Sequence, residues 1–162
     1  MALLFADQAE TRAIYSENTS NAEFATIVYG NVLGRAPDQA GLEFWVSALD
    51  SGAVSRDQLI MDVLEGVNAR LNLELGYEFA QQQFDDRMYL ANKVDIGAHF
   101  SVHRGMSDID NATAAMELFD GSQASINLAV TAIDAFYDDA SDPLTGEFLL
   151  QVVGVMDCPF DL

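Results

Sequence analysis

The sequence predicts an all-α protein: a compact bundle of about six helices with a short extended C-terminal segment. Three observations carry that prediction. Apolar residues recur at intervals of three and four along most of residues 20–137, which is the period of one helix face. Serine or aspartate stands before several of these runs, as a residue that caps the first free amides of a helix. Glycine closes most of them.

In chain order, "SNAE" at 20–23 has the form of a capping box, with Ser20 and Glu23 satisfying each other's amides. Phe24, Ile27, Val28 and Val32 follow at helical spacing, and Gly34 ends the run. Pro37 and Asp38 open the next helix, whose apolar face is Leu42, Trp45, Val46 and Leu49; "DSG" at 50–52 stops it. "SRDQ" at 55–58 reads as a second capping box, before Leu59, Ile60, Val63 and Leu64 and a stop at Gly66. A long helix runs from about Gly76 or Tyr77 to His103, with Gly105 after it. Ser107 or Asp108 starts a short helix that ends before Gly121, and "SQASINLAVTAIDAFY" supplies another, with Ile126, Val130, Ile133 and Tyr137 on one face. "DDASDPLTGE" reads as a turn-rich loop, and "FLLQVVGVM" at 148–156 as a buried strand or extended tail too short to cross a membrane. The organisation is therefore an N-terminal extension (1–19) packed on the domain, a helical domain (20–137), and an acidic loop with an apolar C-terminal tail (138–162).

Charge narrows the function. Of 162 residues, 26 are acidic and seven basic, a formal net charge of −19. That excess repels phosphate backbones and anionic headgroups, so nucleic acid and membrane insertion are excluded as expectations. It suits cations, and it suits surroundings where calcium or salt screens the repulsion. The opening "MALLFADQAETR" has a short apolar run with no basic residue before it, unlike a secretory leader. Residence in the cytoplasm or export without an N-terminal signal are the two readings. The single cysteine, Cys158, forms no internal disulfide.

Two clusters are candidate metal sites. Asp95, His99 and His103 are spaced one helical turn apart, and His-x3-His can hold zinc or copper with a carboxylate completing the set. A complete site needs further ligands, and no glutamate of an HExxH pattern lies between the histidines; the competing reading is a polar strip between two apolar faces. Those faces are Leu90, Ala91, Val94, Ala98 and Val102 on one side and Tyr89, Ile96 and Phe100 on the other. Asp138, Asp139, Asp142 and Glu147 are dense in the hard oxygen ligands that calcium prefers, and Asp108 and Asp110 form a lesser pair, but neither group follows the EF-hand pattern. Capping and solvated turns are the alternative. No serine elbow, phosphate-binding glycine loop or nucleophile with a base is present as a motif, so no enzyme is expected. No cofactor beyond calcium is indicated.

"YGNVLGRAPDQAGLEFWVSALDSGAVSRDQLIMDVLEG" at 29–66, with Gly34, Arg35, Pro37, Asp38, Gly41 and Trp45 as its structural motif, resembles a small helical domain of unknown function. That domain is found in bacterial secreted and surface proteins, often beside RTX-type calcium repeats or surface-layer-like sequences, and is distantly similar to phycobilisome linker domains. "LANKVDIGAHFSV" is similar to the helix that follows in such proteins, which extends the resemblance to about residues 20–137. The resemblance implies an extracellular bacterial protein exported by a type I system, acting as a surface-layer, filament or adhesin subunit. This chain departs from such proteins in lacking glycine- and aspartate-rich nonapeptide repeats, so their calcium chemistry does not transfer. The final "VVGVMDCPFDL" has the acidic and apolar character of export signals of that kind.

The expected function is thus a non-enzymatic structural protein at the cell surface or outside the cell. Its partners would be copies of itself, as a homo-oligomer, or another surface protein. A calcium- or small-ligand-binding accessory domain, or a linker or scaffold protein, is the alternative. The candidate contacts are the face of Tyr89, Ile96 and Phe100 and the tail residues Phe148, Leu149, Val152 and Val153, each of which could instead be buried in the monomer.

Overall fold

The computed structural model describes residues 18–142 and 144–146. Among them the protein is all-α, with no strand. The helices are α1 (Asn21–Leu33), α2 (Gln39–Asp50), α3 (Arg56–Asn68), α4 (Tyr77–Ala98), α5 (Ile109–Glu117) and α6 (Gln123–Ala140). A 3-10 turn (Leu73–Leu75) precedes α4, and a π-helical turn (His99–His103) continues it. The extended C-terminal segment and nearly all of the N-terminal extension fall outside the described residues, as do Glu147, Phe148, Leu149, Val152, Val153 and Cys158. The chain divides into two compact units, Met1–Met88 and Tyr89–Leu162, and the division falls within α4.

In the first unit α1 is the central element, packing against α2 and α3. Its start is the capping box that "SNAE" implies: Ser20 Oγ accepts from the Glu23 amide at 3.2 Å, and the Ser20 amide donates to Glu23 Oε2 at 2.9 Å. Its end is Gly34 at φ 68°, where the amide reaches back to the Gly30 carbonyl at 3.1 Å. That left-handed geometry suits glycine, because a Cβ would strain it. Phe24, Ala25, Val28, Val32 and Leu33 of α1 are buried, with Leu59, Val63 and Val67 of α3 and Ala80 of α4. Hydrogen bonds from Ser20 hold the Glu23 carboxyl below the usual glutamate range. A carboxylate with a depressed folded pKa stabilises above its unfolded value and loses that effect as pH falls through the folded one. Ser20→Ala keeps the amide bond to Glu23 but loses the hydroxyl bond to its carboxylate and the Oγ cap on its amide, and is expected to lower the urea midpoint at pH 7. The difference between variant and parent should shrink on acidification below about pH 4.3; a pH-independent difference would show that Glu23 is not part of the effect.

Two local expectations need correction. Ser55 stands at the N-cap of α3 with cap-like backbone angles, but its side chain makes no capping hydrogen bond, so "SRDQ" is not a capping box. The adjacent Arg56 is drawn instead toward α1, where its guanidinium lies 4.9 Å over the Phe24 ring and donates to Asn21 Oδ1 at 3.0 Å and to the Thr19 carbonyl. Gly66 does not stop α3, which continues to Asn68 and ends at Ala69 in extended conformation. Gly66 is absent from the positive-φ glycines, so nothing breaks the helix there, and the Arg87 guanidinium takes the Val67 carbonyl at 3.1 Å and the Ala69 carbonyl beyond it.

In the second unit α5 packs on α6, and the π-helical turn also contacts α6. The core joins Ile96, Phe100, Met106, Ala115, Phe119, Ile126, Ala129 and Ile133, with Tyr89 and Tyr137 packed against it. Asp108 caps α5 by accepting from the Asn111 amide at 2.8 Å, and Ser122 caps α6. Gly121 at φ 95° sits against the Tyr89 ring, which a Cβ there would meet at 3.0 Å. Helix α6 runs to Ala140, so the first residues of "DDASDPLTGE" are helical rather than loop. Among the described residues no helix is long and apolar enough to cross a membrane.

Candidate functional site

Arg35, the charged residue of the 29–66 motif, sits just past the end of α1 and reaches α4. Its Nε donates to Asp86 Oδ1 and its second nitrogen to Oδ2, both at 2.7 Å, a bidentate pair. The Asp86 side chain is nearly buried, and Gln82 Nε2 donates a third hydrogen bond to Oδ1 at 2.9 Å. That hydrogen-bonded carboxylate pushes the Arg35 guanidinium above its ordinary pKa, against the opposing effect of burial. The guanidinium also lies 5.4 Å from the Tyr29 ring centroid. Tyr29 in turn accepts from Trp45 Nε1 at 3.0 Å, and Asp38 caps α2 through the Gly41 amide at 2.7 Å. Gly41 is glycine for space as well: a Cβ would meet Asp38 Oδ1 at 3.3 Å and the Tyr29 hydroxyl at 3.7 Å. The motif thus fastens α1, α2 and the first half of α4 together. Its charged groups are spent on one another rather than turned to a ligand.

Beside it lies a shallow groove between α1 and α2, about 670 Å³ in volume. Ala22, Leu42 and Val46 supply its apolar floor, and Glu43 and Asp50 its acidic edge. Asn21 holds Asp50 by a hydrogen bond of 2.7 Å. Leu42, Trp45, Val46 and Leu49, the expected apolar face of α2, are all half-buried rather than enclosed.

The second unit holds the histidines. His99 is buried, and its Nε2 lies 2.9 Å from Asp134 Oδ1. The same oxygen accepts from Arg104 Nε at 2.8 Å, while the Arg104 guanidinium stands 5.2 Å over the Tyr137 ring. His103 is a ring neighbour of His99, centroids 6.2 Å apart, and Asp95 is exposed. His99 therefore turns to α6, not to its helical neighbours. Among the described residues no group of three or more His, Cys, Asp or Glu is arranged to hold a metal ion. Asp95, His99 and His103 are not brought together as a ligand set.

The acidic candidates fare similarly. Asp138 and Asp139 lie exposed on the last turn of α6. Asp142 Oδ1 accepts from the amides of Leu144 at 2.7 Å and Thr145 at 3.1 Å, and those bonds hold its carboxyl below the usual aspartate range. It closes a turn. Asp108 caps α5, and Asp110 lies in the first turn of that helix.

Of the expected contact face, Ile96 and Phe100 are buried in the core of the second unit and Tyr89 packs against it. Burial and the neighbouring Asp120 push the Tyr89 phenol up. Ile96 and Phe100 are covered by the chain itself, and Tyr89 stays half-exposed. The residues that do stand open are ones the periodicity assigned elsewhere or not at all: Val94 and Val102 in the second unit, and Leu73, Leu75, Tyr77, Phe84 and Met88 in the first.

Three residues of these clusters were not marked by the sequence: Asp86, Arg104 and Asp134. Asp134 gave a signal, since it borders the apolar face of Ile126, Val130, Ile133 and Tyr137, where a carboxylate needs a partner. Asp86 gave none, because its partner lies 51 residues away. No curated protein and no solved structure matches the chain. Residues 2–69 match the model of a family described as "Domain of unknown function (DUF4214)", a span that holds the Tyr29–Arg35–Asp38–Trp45 motif and the α1–α2 groove.

Proposed function

We propose that this protein is a non-enzymatic bacterial structural protein that works outside the cell, assembling with copies of itself or attaching to another surface protein. The observation that carries the reading is the set of large apolar side chains left open on helices of both units. Tyr77, Leu73 and Phe44 in the first and Ile109, Val94 and Leu128 in the second all stand well exposed. Open apolar side chains in such number are a feature of proteins that cover them on association. The charge of −19 opposes close approach of copies in dilute buffer, so association would require salt or calcium to screen it. The resemblance of residues 29–66 to a domain of secreted and surface proteins supports the location.

Particle mass measured by light scattering at several concentrations, in millimolar calcium and then in EDTA, tests the reading. Growth above the 17.6 kDa monomer with concentration, reversed by EDTA or by lowering salt, is the expected result. A constant monomer under all these conditions would remove self-assembly and leave only attachment to another protein.

A further inference from the structure

The start of α4 has two sides of different character. At roughly 100° per residue, Tyr77, Gln81, Phe84 and Met88 share one face of the helix. Asp86, on the opposite side, is buried, and so is Ala80, which flanks Phe84, while Phe79 beside Asp86 is 45% exposed. On the open face Tyr77 is 77% exposed, Phe84 45% and Met88 43%, and the 3-10 turn just before it leaves Leu73 71% and Leu75 64% exposed. An apolar residue exposed singly is ordinary; six within residues 73–88, Phe79 included, are not.

The exposed charges on the turn and on this side of α4 are acidic. Glu74 stands between the two leucines, and Glu78 and Asp85 form the strip beside the apolar face, all exposed. Gln81 ties the strip to the face: its amide donates to Asp85 Oδ1 at 2.9 Å, and it accepts from the Tyr77 hydroxyl at 3.4 Å. The nearby cations are largely engaged inward. Arg87 donates to the Val67 and Ala69 carbonyls and Arg35 to Asp86, which leaves Arg70, before the turn, as the exposed basic side chain next in sequence.

We infer that the α4 face of Tyr77, Phe84 and Met88, bordered by Glu78 and Asp85 and preceded by the exposed turn of Leu73, Glu74 and Leu75, docks an amphipathic segment of another protein. That segment carries apolar residues on one side and lysine or arginine along its flanks. The complementarity is what selects it: apolar side chains cover the open stripe while the basic flanks meet the acidic strip. A second copy of this chain is the poorer occupant, because it brings the same carboxylates and a charge of −19 to the contact. The inference rests on the reading of the protein as a non-enzymatic attachment protein, and names the surface and the chemistry of the partner.

A synthetic amphipathic helix with a leucine face and lysine flanks is the probe, titrated with a fluorescent label into the full-length protein at physiological salt. Saturable binding is expected. It should weaken at least about tenfold in the Tyr77→Ser/Phe84→Ser variant, and change less than about twofold in a Met61→Ser/Leu144→Ser control of the same net charge. The same peptide with glutamate flanks should bind at least about tenfold more weakly than the lysine form. Circular dichroism of both variants, whose substituted side chains are exposed, should match the parent. Equal binding by the Tyr77→Ser/Phe84→Ser variant would reduce the effect to bulk charge attraction and overturn the inference. So would equal binding of the glutamate peptide, or no saturation. Particle mass without peptide separates this from the assembly reading. Particles that grow while peptide binding ignores Tyr77 and Phe84 sink the docking face alone. Face-dependent peptide binding to a constant monomer sinks self-assembly alone.

Discussion

Replacing Arg35 with alanine is expected to lower the unfolding free energy by about 3 kcal/mol, among the largest losses available to a residue that is partly exposed. The cause is the partner left behind. Asp86 is nearly buried, and without the two 2.7 Å hydrogen bonds from the guanidinium its carboxylate retains only Gln82. The same substitution also removes the cation from the Tyr29 ring. The loss belongs to an uncompensated buried charge rather than to the pair as such, so the double replacement Arg35→Met with Asp86→Leu should recover much of it. Urea unfolding followed by fluorescence of Trp45, the only tryptophan, reads this unit directly. A loss in Arg35→Ala below about 1 kcal/mol that vanishes with added salt would mean the pair behaves as an ordinary surface ion pair.

Phe24→Ala should cost about 4 kcal/mol, by loss of apolar burial and by the cavity it leaves. Phe24 is 2% exposed, in the first turn of α1, with core residues of α1 and α3 in the same unit and the Arg56 guanidinium over its ring. Arg56 makes the site unusual: truncating the ring also removes the surface on which the guanidinium rests while it holds Asn21 and Thr19. Phe24→Leu, which keeps most of the volume but not the aromatic face, should cost less than half as much. Equal losses for the two variants in the same Trp45-monitored unfolding would place the energy in the cation–ring contact instead of in packing.

The elements were legible wherever the signal is local. The Ser20–Glu23 capping box, the Asp38 and Asp108 caps and the left-handed Gly34 depend on neighbours within a few residues, and the structure has each of them. "SRDQ" has the same form, but Ser55 makes no side-chain cap, and the Arg56 beside it is engaged with Phe24 and Asn21 more than 30 residues away. Periodicity found two apolar faces on the long helix but could not tell which is covered. The face of Tyr89, Ile96 and Phe100 went into the core, while Val94 and Val102 of the other stayed open. The histidine pattern was legible as a spacing and misleading as a site. What decides its chemistry is Asp134, on a helix whose position no spacing within 92–105 encodes. The open stripe of Tyr77, Phe84 and Met88 is spaced like a core face, which is why sequence alone gave no reason to see it as a surface.

The π-helical turn at His99–His103 holds one residue more than an α-helical turn would need. There the Arg104 amide reaches back five residues to the His99 carbonyl at 3.0 Å, and the Met106 amide six to Phe100 at 3.1 Å. An α-helix would close each of these loops with fewer residues. Deleting one residue such as Ser101 would let an ordinary α-helical turn close on the same His99 carbonyl, so the chain after it would keep its place on the helix. Arg104 would still meet Asp134 and Tyr137. The same deletion earlier in α4, where no residue is spare, would turn everything after it by roughly 100° about the axis, so this turn is where the helix can give up a residue.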